Sequence, residues 1–155
     1  GFQSDQFRQL EFVLGSKSQA AIERFGAGTR ARAALESRYG KPTLWDAFLR
    51  YLSTQGYAVP TPLLARDVTA AIEPSEELQA TLVDLYRTDP KHAEMCERLV
   101  DLDEGLQEWR YRHVKMVQRT IGAKPGTGGS SGAQYLARTL MTPVFPDLWE
   151  IRSRL

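Results

Sequence analysis

The stretch between Met95 and Thr120 constrains the fold more than any other, because apolar residues recur along it with the period of an α-helix for about seven turns. The recurring residues are separated by alternating steps of four and three positions: Met95, Leu99, Leu102, Leu106, Trp109, His113, Met116 and Thr120. Residues at these steps lie on one stripe of a helix. We therefore predict one long helix whose stripe faces a hydrophobic core, with Gly122 ending the helix.

His113 differs from the other members of this stripe, because an imidazole taken out of water needs a partner for each ring nitrogen. A neutral imidazole is a good axial or metal ligand, and apolar neighbours would shield that bond from water. The alternative is a core histidine whose ring binds a carbonyl or a carboxylate. The position in the stripe alone leaves both interpretations open.

The charged residues of the same stretch are sorted by sign. Acidic residues precede Trp109, whereas Arg110, Arg112, Lys115 and Arg119 follow it. This order suits the helix macrodipole. These four basic residues, called here the basic cluster, predict a solvated face or a surface for nucleic acid, anionic cofactor groups or acidic helices. Because the formal net charge is only +1, the chain is not expected to be dominated by nucleic-acid contacts.

A glycine-rich loop follows the predicted helix. Residues 126–132 contain four glycines and three hydroxyl side chains, those of Thr127, Ser130 and Ser131. Such a loop allows backbone N–H groups and hydroxyls to approach a ligand closely. A flexible linker is the alternative, although linkers are less expected between two helices of one domain. The loop follows neither the Walker A nor the Rossmann pattern, because Lys124 precedes the glycines and no strand leads into them.

Capping signals divide the rest of the chain into further helices. Ser4, Thr43, Ser75 and Asp89 each stand where an N-cap residue is expected, and a proline follows Asp89. The residues of the first helix predicted to face inward are Phe7, Leu10 and Leu14. Residues 63–72 are compatible with either a loop or a short helix.

No segment alternates apolar and polar residues with period two for long enough to form a convincing strand. The sequence therefore predicts an all-α fold, a single helical domain over residues 1–155 built around the long helix.

Cysteine and histidine usage restricts the chemistry further. Cys96 is the only cysteine, so no intrachain disulfide is possible and a reducing cytosol is the expected compartment. His92 and Cys96 are one helical turn apart, but the chain has too few such ligands for a structural zinc site, so we expect a surface histidine and a half-buried thiol. No apolar run is long enough to cross a membrane.

Two motifs together resemble the tryptophan 2,3-dioxygenase family. The first is Glu-Trp-Arg-Tyr-Arg-His-Val at residues 108–114, and the second is Ile-Gly-Ala-Lys-Pro-Gly-Thr-Gly-Gly-Ser-Ser-Gly at residues 121–132. The resemblance extends from Gly-Phe-Gln-Ser at residues 1–4 to Phe-Pro-Asp-Leu-Trp at residues 145–149. The related indoleamine 2,3-dioxygenases share the Gly-Thr-Gly-Gly sequence but not the closely spaced Trp-Arg-x-x-His.

This resemblance implies an all-helical, homotetrameric, cytosolic enzyme that binds haem b. It implies insertion of both atoms of O₂ across the indole C2–C3 bond of L-tryptophan, which gives N-formyl-L-kynurenine in the first step of tryptophan catabolism. His113 then corresponds to the proximal ligand of the haem iron. Thr127, with Gly126 beside it, corresponds to the loop residues that contact the ammonium and carboxylate region of the substrate.

The resemblance covers the C-terminal half of the family's chain. A distal histidine, an aromatic wall and the arginine that pairs with the substrate carboxylate precede the Gly-Phe-Gln-Ser segment in the family, so we expect this chain to be inactive alone. The rival hypothesis is a non-catalytic helical interaction module. In such a module His113 belongs to the core, the basic cluster binds an acidic partner and the glycine loop is a hinge.

Overall fold

A computed structural model of the protein describes residues 4–122, 137 and 140–155. Its α-helices, numbered in chain order, are α1 (Asp5–Leu14), α2 (Gln19–Glu23), α3 (Arg30–Tyr39), α4 (Leu44–Thr54), α5 (Thr61–Leu64), α6 (Glu76–Thr88), α7 (Pro90–Ile121) and α8 (Pro146–Glu150), and a 3-10 helix over Ile151–Arg154 follows. No strand occurs among the described residues, so the prediction of an all-α fold is confirmed. The open question at residues 63–72 is answered by one helical turn, α5, followed by loop.

Each of the four predicted N-cap residues precedes a helix, as expected. Thr43 and Asp46 form a complete capping box on α4, in which the Thr43 backbone N–H donates to Asp46 Oδ2 over 2.8 Å. Arg66 also donates to Asp46, from Nε to Oδ1 over 2.6 Å. Burial alone would raise the pKa of Asp46, but the hydrogen bonds from Arg66 and Thr43 outweigh it and hold that pKa below its usual value. Ser4 precedes α1 as predicted but makes no side-chain capping bond.

Two hydrophobic clusters hold the helices together. The main cluster draws buried side chains from α1, α4, α6, α7 and α8, and near its centre Trp45 stacks on Phe145 with ring centroids 5.4 Å apart. The smaller cluster joins α1 to α2 and α3 and consists of Phe12, Ala21, Ile22 and Leu35. Among the described helices, none has the length and apolar character needed to span a bilayer.

The buried face of α7 differs from the predicted stripe. The residues that the structure buries are His92, Cys96, Leu99, Val100, Asp103, Leu106, Arg110 and Val114. Of the predicted stripe, Leu99 and Leu106 are buried, but Leu102 is 47% exposed and Trp109 is 36% exposed. The prediction was wrong about these residues because it assumed that charged side chains do not enter the core. Asp103 and Arg110 are buried there, and each forms hydrogen bonds with other residues.

A buried network at the start of α7 replaces the predicted surface histidine. His92 is only 6% exposed, and its Nδ1 lies 2.6 Å from Asp89 Oδ2 while its Nε2 lies 3.1 Å from the Tyr51 hydroxyl. Tyr57 donates its hydroxyl to the same Asp89 oxygen over 2.6 Å. Cys96 is fully buried rather than half-buried, and burial raises the pKa of its thiol to about 12.

Asp89 makes the stability of this network depend on pH. The hydrogen bonds from Tyr57 and from the His92 backbone lower the pKa of Asp89 from 3.8 to about 2. A lowered pKa in the folded state stabilises the protein above the unfolded pKa, and this stabilisation is lost as the pH falls through the folded pKa. We therefore expect the difference in unfolding free energy between the wild type and Asp89→Asn to shrink from about pH 4 to about pH 2. Urea denaturation at a series of pH values measures this difference. A difference that does not depend on pH would contradict the lowered pKa of Asp89.

Asp103 fastens the C-terminal segment to the middle of α7. The carboxylate is fully buried and accepts the backbone N–H groups of Val144 and Phe145, each over 2.9 Å to Oδ2, and the Trp149 indole N–H over 3.0 Å. Gln107 donates a further hydrogen bond over 3.1 Å. Four donors from two segments therefore converge on one side chain, and they fix where residues 144–149 lie on α7.

Removing the Asp103 carboxylate should be costly. In Asp103→Ala several buried donors lose their acceptor at about 1–3 kcal/mol each, and we expect the free energy of unfolding to fall by roughly 3 kcal/mol after partial relaxation. Glu104→Ala is the matched control, because Glu104 is adjacent and exposed, and we expect it to change stability by less than about 0.5 kcal/mol. Chemical denaturation monitored by circular dichroism compares the two, and equal stabilities would show that the carboxylate is not the fastening point.

Candidate functional site

His113 lies at the edge of the α7 interface, half-buried, one helical turn after Trp109. The imidazole stacks on the Trp109 indole with ring centroids 5.0 Å apart and planes 11° from parallel. The same indole stacks on Phe7 of α1 with centroids 3.9 Å apart and planes 18° from parallel. Neither the deep core predicted for the stripe nor a fully solvated position describes this histidine. The structure places it in an aromatic row at the border between α1 and α7.

Burial lowers the pKa of His113 below its usual value, which favours the neutral form of the imidazole. The neutral form of imidazole is the one that binds a metal ion, through its unprotonated ring nitrogen. In the described part of the chain no group of three or more His, Cys, Asp and Glu side chains could hold a metal ion. A metal bound at His113 would therefore receive fewer than three such ligands from this part of the chain. Such a site would suit a metal whose remaining ligands come from a macrocycle better than it suits zinc, which takes at least three protein ligands.

A buried ion pair holds the turn of α7 that carries His113. Arg110 Nη2 donates to Glu11 Oε1 of α1 over 3.0 Å, and Arg110 Nη1 donates to the Thr142 carbonyl over 3.1 Å. Both charged side chains are 5% exposed, and Arg8 binds the second Glu11 oxygen over 2.8 Å. One arginine thus ties α7 both to α1 and to the segment that follows the glycine-rich loop.

The predicted basic cluster does not exist as one surface. Arg110 points into the protein, whereas Arg112 is exposed and forms an ion pair with Glu108 over 2.7 Å. Lys115 lies over the Tyr111 ring, 5.8 Å from its centroid. The expectation of a solvated face holds for Arg112 and Lys115, while Arg110 serves the packing of α1 against α7.

An apolar cavity of about 330 Å³ opens between α1 and α7 beside the aromatic row. Its lining residues are Phe7, Leu10, Leu14, Asp101, Leu102, Gly105, Leu106 and Trp109. Leu10, predicted to be buried, is 48% exposed on this surface, and Glu11 occupies the buried position instead. The apolar side of the site is therefore open along α1 and α7.

Gly126 and Thr127, the predicted substrate-binding residues, lie outside the described residues, so their contacts stay predictions. Gly122 ends α7 with a positive φ of 60°, as its position in the sequence predicts.

Sequence reasoning missed the roles of Phe7, Glu11 and Arg110. A signal for Glu11 was present, because it follows Phe7 by four positions and so shares the inward face of α1. An acidic residue on that face needs a buried cation, and the sequence alone did not say which arginine supplies it.

Comparison with known proteins gives consistent results. The family model described as tryptophan 2,3-dioxygenase matches residues 41–155. A tryptophan 2,3-dioxygenase of Herpetosiphon aurantiacus is 57% identical over the whole chain, which covers 59% of that protein. Relatives with the same name from Anaeromyxobacter sp. strain K and Caulobacter vibrioides are 54% and 43% identical, again over the whole chain, which covers 58% and 60% of their lengths. The chain thus spans less than two thirds of the length of these relatives.

Proposed function

The chain belongs to the tryptophan 2,3-dioxygenase family, and we propose that it forms the haem-binding part of an enzyme that converts L-tryptophan and O₂ to N-formyl-L-kynurenine. The observation that carries the proposal is the position of His113. Its imidazole is held in an aromatic row at an open edge of α7, and it is the histidine of the Trp-Arg-x-x-His motif, which matches the family's proximal ligand.

The residues around His113 suit haem b. A single imidazole would suit an iron whose remaining ligands come largely from a porphyrin, and the rings stacked beside His113, those of Trp109 and Phe7, are apolar. His113 would hold the iron through Nε2. When bound, haem supplies the iron at which O₂ is activated. The ion pair between Arg110 and Glu11 fixes the turn of α7 on which the imidazole is carried, so the ligand is oriented before haem arrives.

The glycine-rich loop is proposed to bind the substrate. A threonine hydroxyl donates one hydrogen bond and accepts others, which suits the ammonium and carboxylate groups of an amino acid. Gly126 beside Thr127 allows the backbone to approach those groups closely. Thr127 and Gly126 are accordingly proposed to bind the zwitterionic end of L-tryptophan.

The assembly and compartment belong to the same proposal. Family membership supports a homotetramer in the cytoplasm, and the open surface between α1 and α7 supports further packing against protein. Two observations weigh against the rival helical module with a basic face. Arg110 is buried and paired with Glu11, and Arg112 is paired with Glu108, so much of the basic cluster is already neutralised.

The assignment of His113 can be tested in a chimaera in which this chain replaces the matching part of the Herpetosiphon aurantiacus relative. We expect His113→Gly to abolish stoichiometric haem binding, measured from the Soret band and the pyridine haemochrome, and added imidazole to restore part of it. His92→Gln is the matched control, because it changes the only other histidine of this chain and should keep haem while lowering stability. A normal histidine-ligated spectrum in His113→Gly without imidazole would refute the assignment.

The role of Thr127 has a separate test in the same chimaera. Loss of a hydrogen bond to a charged group, on the order of 1.5–3 kcal/mol, should lower kcat/KM for L-tryptophan in Thr127→Ala by about one to two decades. Haem content should not change, and Thr127→Ser should recover much of the rate. Thr88→Ala removes an exposed hydroxyl that binds only the Asp84 carbonyl among its described contacts, and it should leave kcat/KM unchanged. Loss of haem in Thr127→Ala would indicate a different role for the loop.

The isolated chain should be inactive and should self-associate through the surface between α1 and α7. Apolar side chains such as Leu102 are open to water there, and contact with another copy would cover them. We expect sedimentation velocity at tens of micromolar to show species larger than a monomer, and Leu102→Glu to reduce them. Leu155→Glu is the control, since Leu155 is similarly exposed at 49% but does not line the cavity between α1 and α7. Turnover of tryptophan by the chain alone, or association unaffected by Leu102→Glu, would contradict this expectation.

A further inference from the structure

We propose that Trp109 is a positioning residue that sets the plane of the His113 imidazole. The inference rests on the proposed function, since it gives the orientation of His113 a purpose in iron ligation. It concerns a residue to which the chemistry of the reaction assigns no part.

The geometry of the stack carries the inference. Residues four positions apart are neighbours on the surface of a helix, so Trp109 and His113 can contact each other without help from any other helix. In this protein they do more than touch, because their rings are 11° from parallel with centroids 5.0 Å apart. This is the offset stacked arrangement that aromatic rings prefer.

A histidine ring needs such a constraint to hold one plane. The second side-chain torsion of histidine is broad, so the helix backbone and the first torsion leave the ring plane poorly fixed. A flat indole against one side of the ring permits orientations near parallel and opposes the others. Trp109 therefore restricts the one degree of freedom that the helix does not control.

Trp109 is itself held from another helix. The buried Phe7 ring of α1 stacks on the indole, with centroids 3.9 Å apart and planes 18° from parallel. The ion pair between Glu11 and Arg110 fixes the same two helices one turn away. The orientation of His113 is thus transmitted from α1 through Phe7 and Trp109, and it does not depend on α7 alone.

The plane of an axial imidazole is a measurable property. Groups that orient a ligand tune the metal as well as its affinity, and the ring plane relative to the porphyrin nitrogens affects the g values of a low-spin ferric haem. Loss of one aromatic stack should weaken retention of haem by between about twofold and tenfold. A residue that served packing alone would change stability without changing the g values.

The experiment compares Trp109→Leu and Trp109→Phe in the chimaera, with Trp149→Phe as the matched control. Trp149 donates to Asp103 in the middle of α7 and does not stack on His113 among its described contacts. Two readouts are taken on the haem-loaded protein: electron paramagnetic resonance of the ferric cyanide complex and the rate of haem transfer to apomyoglobin. We expect Trp109→Leu to shift the g values and to speed haem loss by about twofold to tenfold, and Trp109→Phe to stay near wild type. Trp149→Phe should lower the melting temperature and leave the g values unchanged.

The outcomes separate this inference from the proposed function. Wild-type g values and haem loss in a folded Trp109→Leu variant would overturn the positioning role, while loss of haem in His113→Gly would still support iron ligation. Haem retained in His113→Gly would overturn both. If Trp109→Leu does not fold, Phe7→Leu removes the outer ring of the row and leaves Trp109 in place. A shift in its g values would support the transmission from α1, and unchanged g values would overturn it.

Discussion

The buried ion pair between Arg110 and Glu11 is the interaction on which the site depends. Two charges that are each 5% exposed are expensive to remove from water, and their attraction repays that cost only with good geometry and further hydrogen bonds. Both conditions hold, since Arg110 also donates to the Thr142 carbonyl and Glu11 also accepts from Arg8. Few other orientations of the two helices would satisfy all of these hydrogen bonds. The ion pair therefore fixes the rotation of α7 about its own axis relative to α1.

The rotation of α7 decides what the protein exposes. With Asp103 and Arg110 turned inward, Leu102 and Trp109 lie on the outer border, and His113 falls at the edge rather than in the core. A histidine buried on all sides could not meet a large planar cofactor, and a fully solvated one would not be held in one orientation. At the edge of the interface, His113 can be reached from outside while its ring is still held in one orientation. The position of His113 at the edge therefore depends on the burial of Asp103 and Arg110, two charged side chains that are not themselves part of the site.

Local signals in the sequence predicted much of the architecture. The capping box at Thr43, the Asp89-Pro90 start of α7 and the stop at Gly122 act within a few residues, so the sequence could predict them without knowledge of the fold. The inward face of α7 could not be predicted in this way, because it depends on the pairing of Arg110 with Glu11, which lies 99 positions earlier in the sequence. Hydrophobic periodicity assumes that charges avoid the core, and it fails where a long-range pair makes burial favourable.

The candidate site shows the same division. The type of residue at position 113 and its place in a Trp-Arg-x-x-His motif could be read directly, whereas the aromatic row through Phe7 needed the tertiary contact between α1 and α7. Likewise, His92 was predicted at the surface and the Cys96 thiol half-buried, because nothing local revealed Tyr51 and Tyr57 as neighbours of His92. Long-range partners account for each of these differences.

The most direct test of this account is a crystal structure of the haem-loaded chimaera. The account predicts iron bound to Nε2 of His113, the imidazole still parallel to the Trp109 indole, and the Arg110–Glu11 ion pair intact beneath them. Iron bound to another residue would contradict it. So would a structure in which α7 is turned so that Trp109 and His113 face the main hydrophobic cluster while Arg110 is exposed.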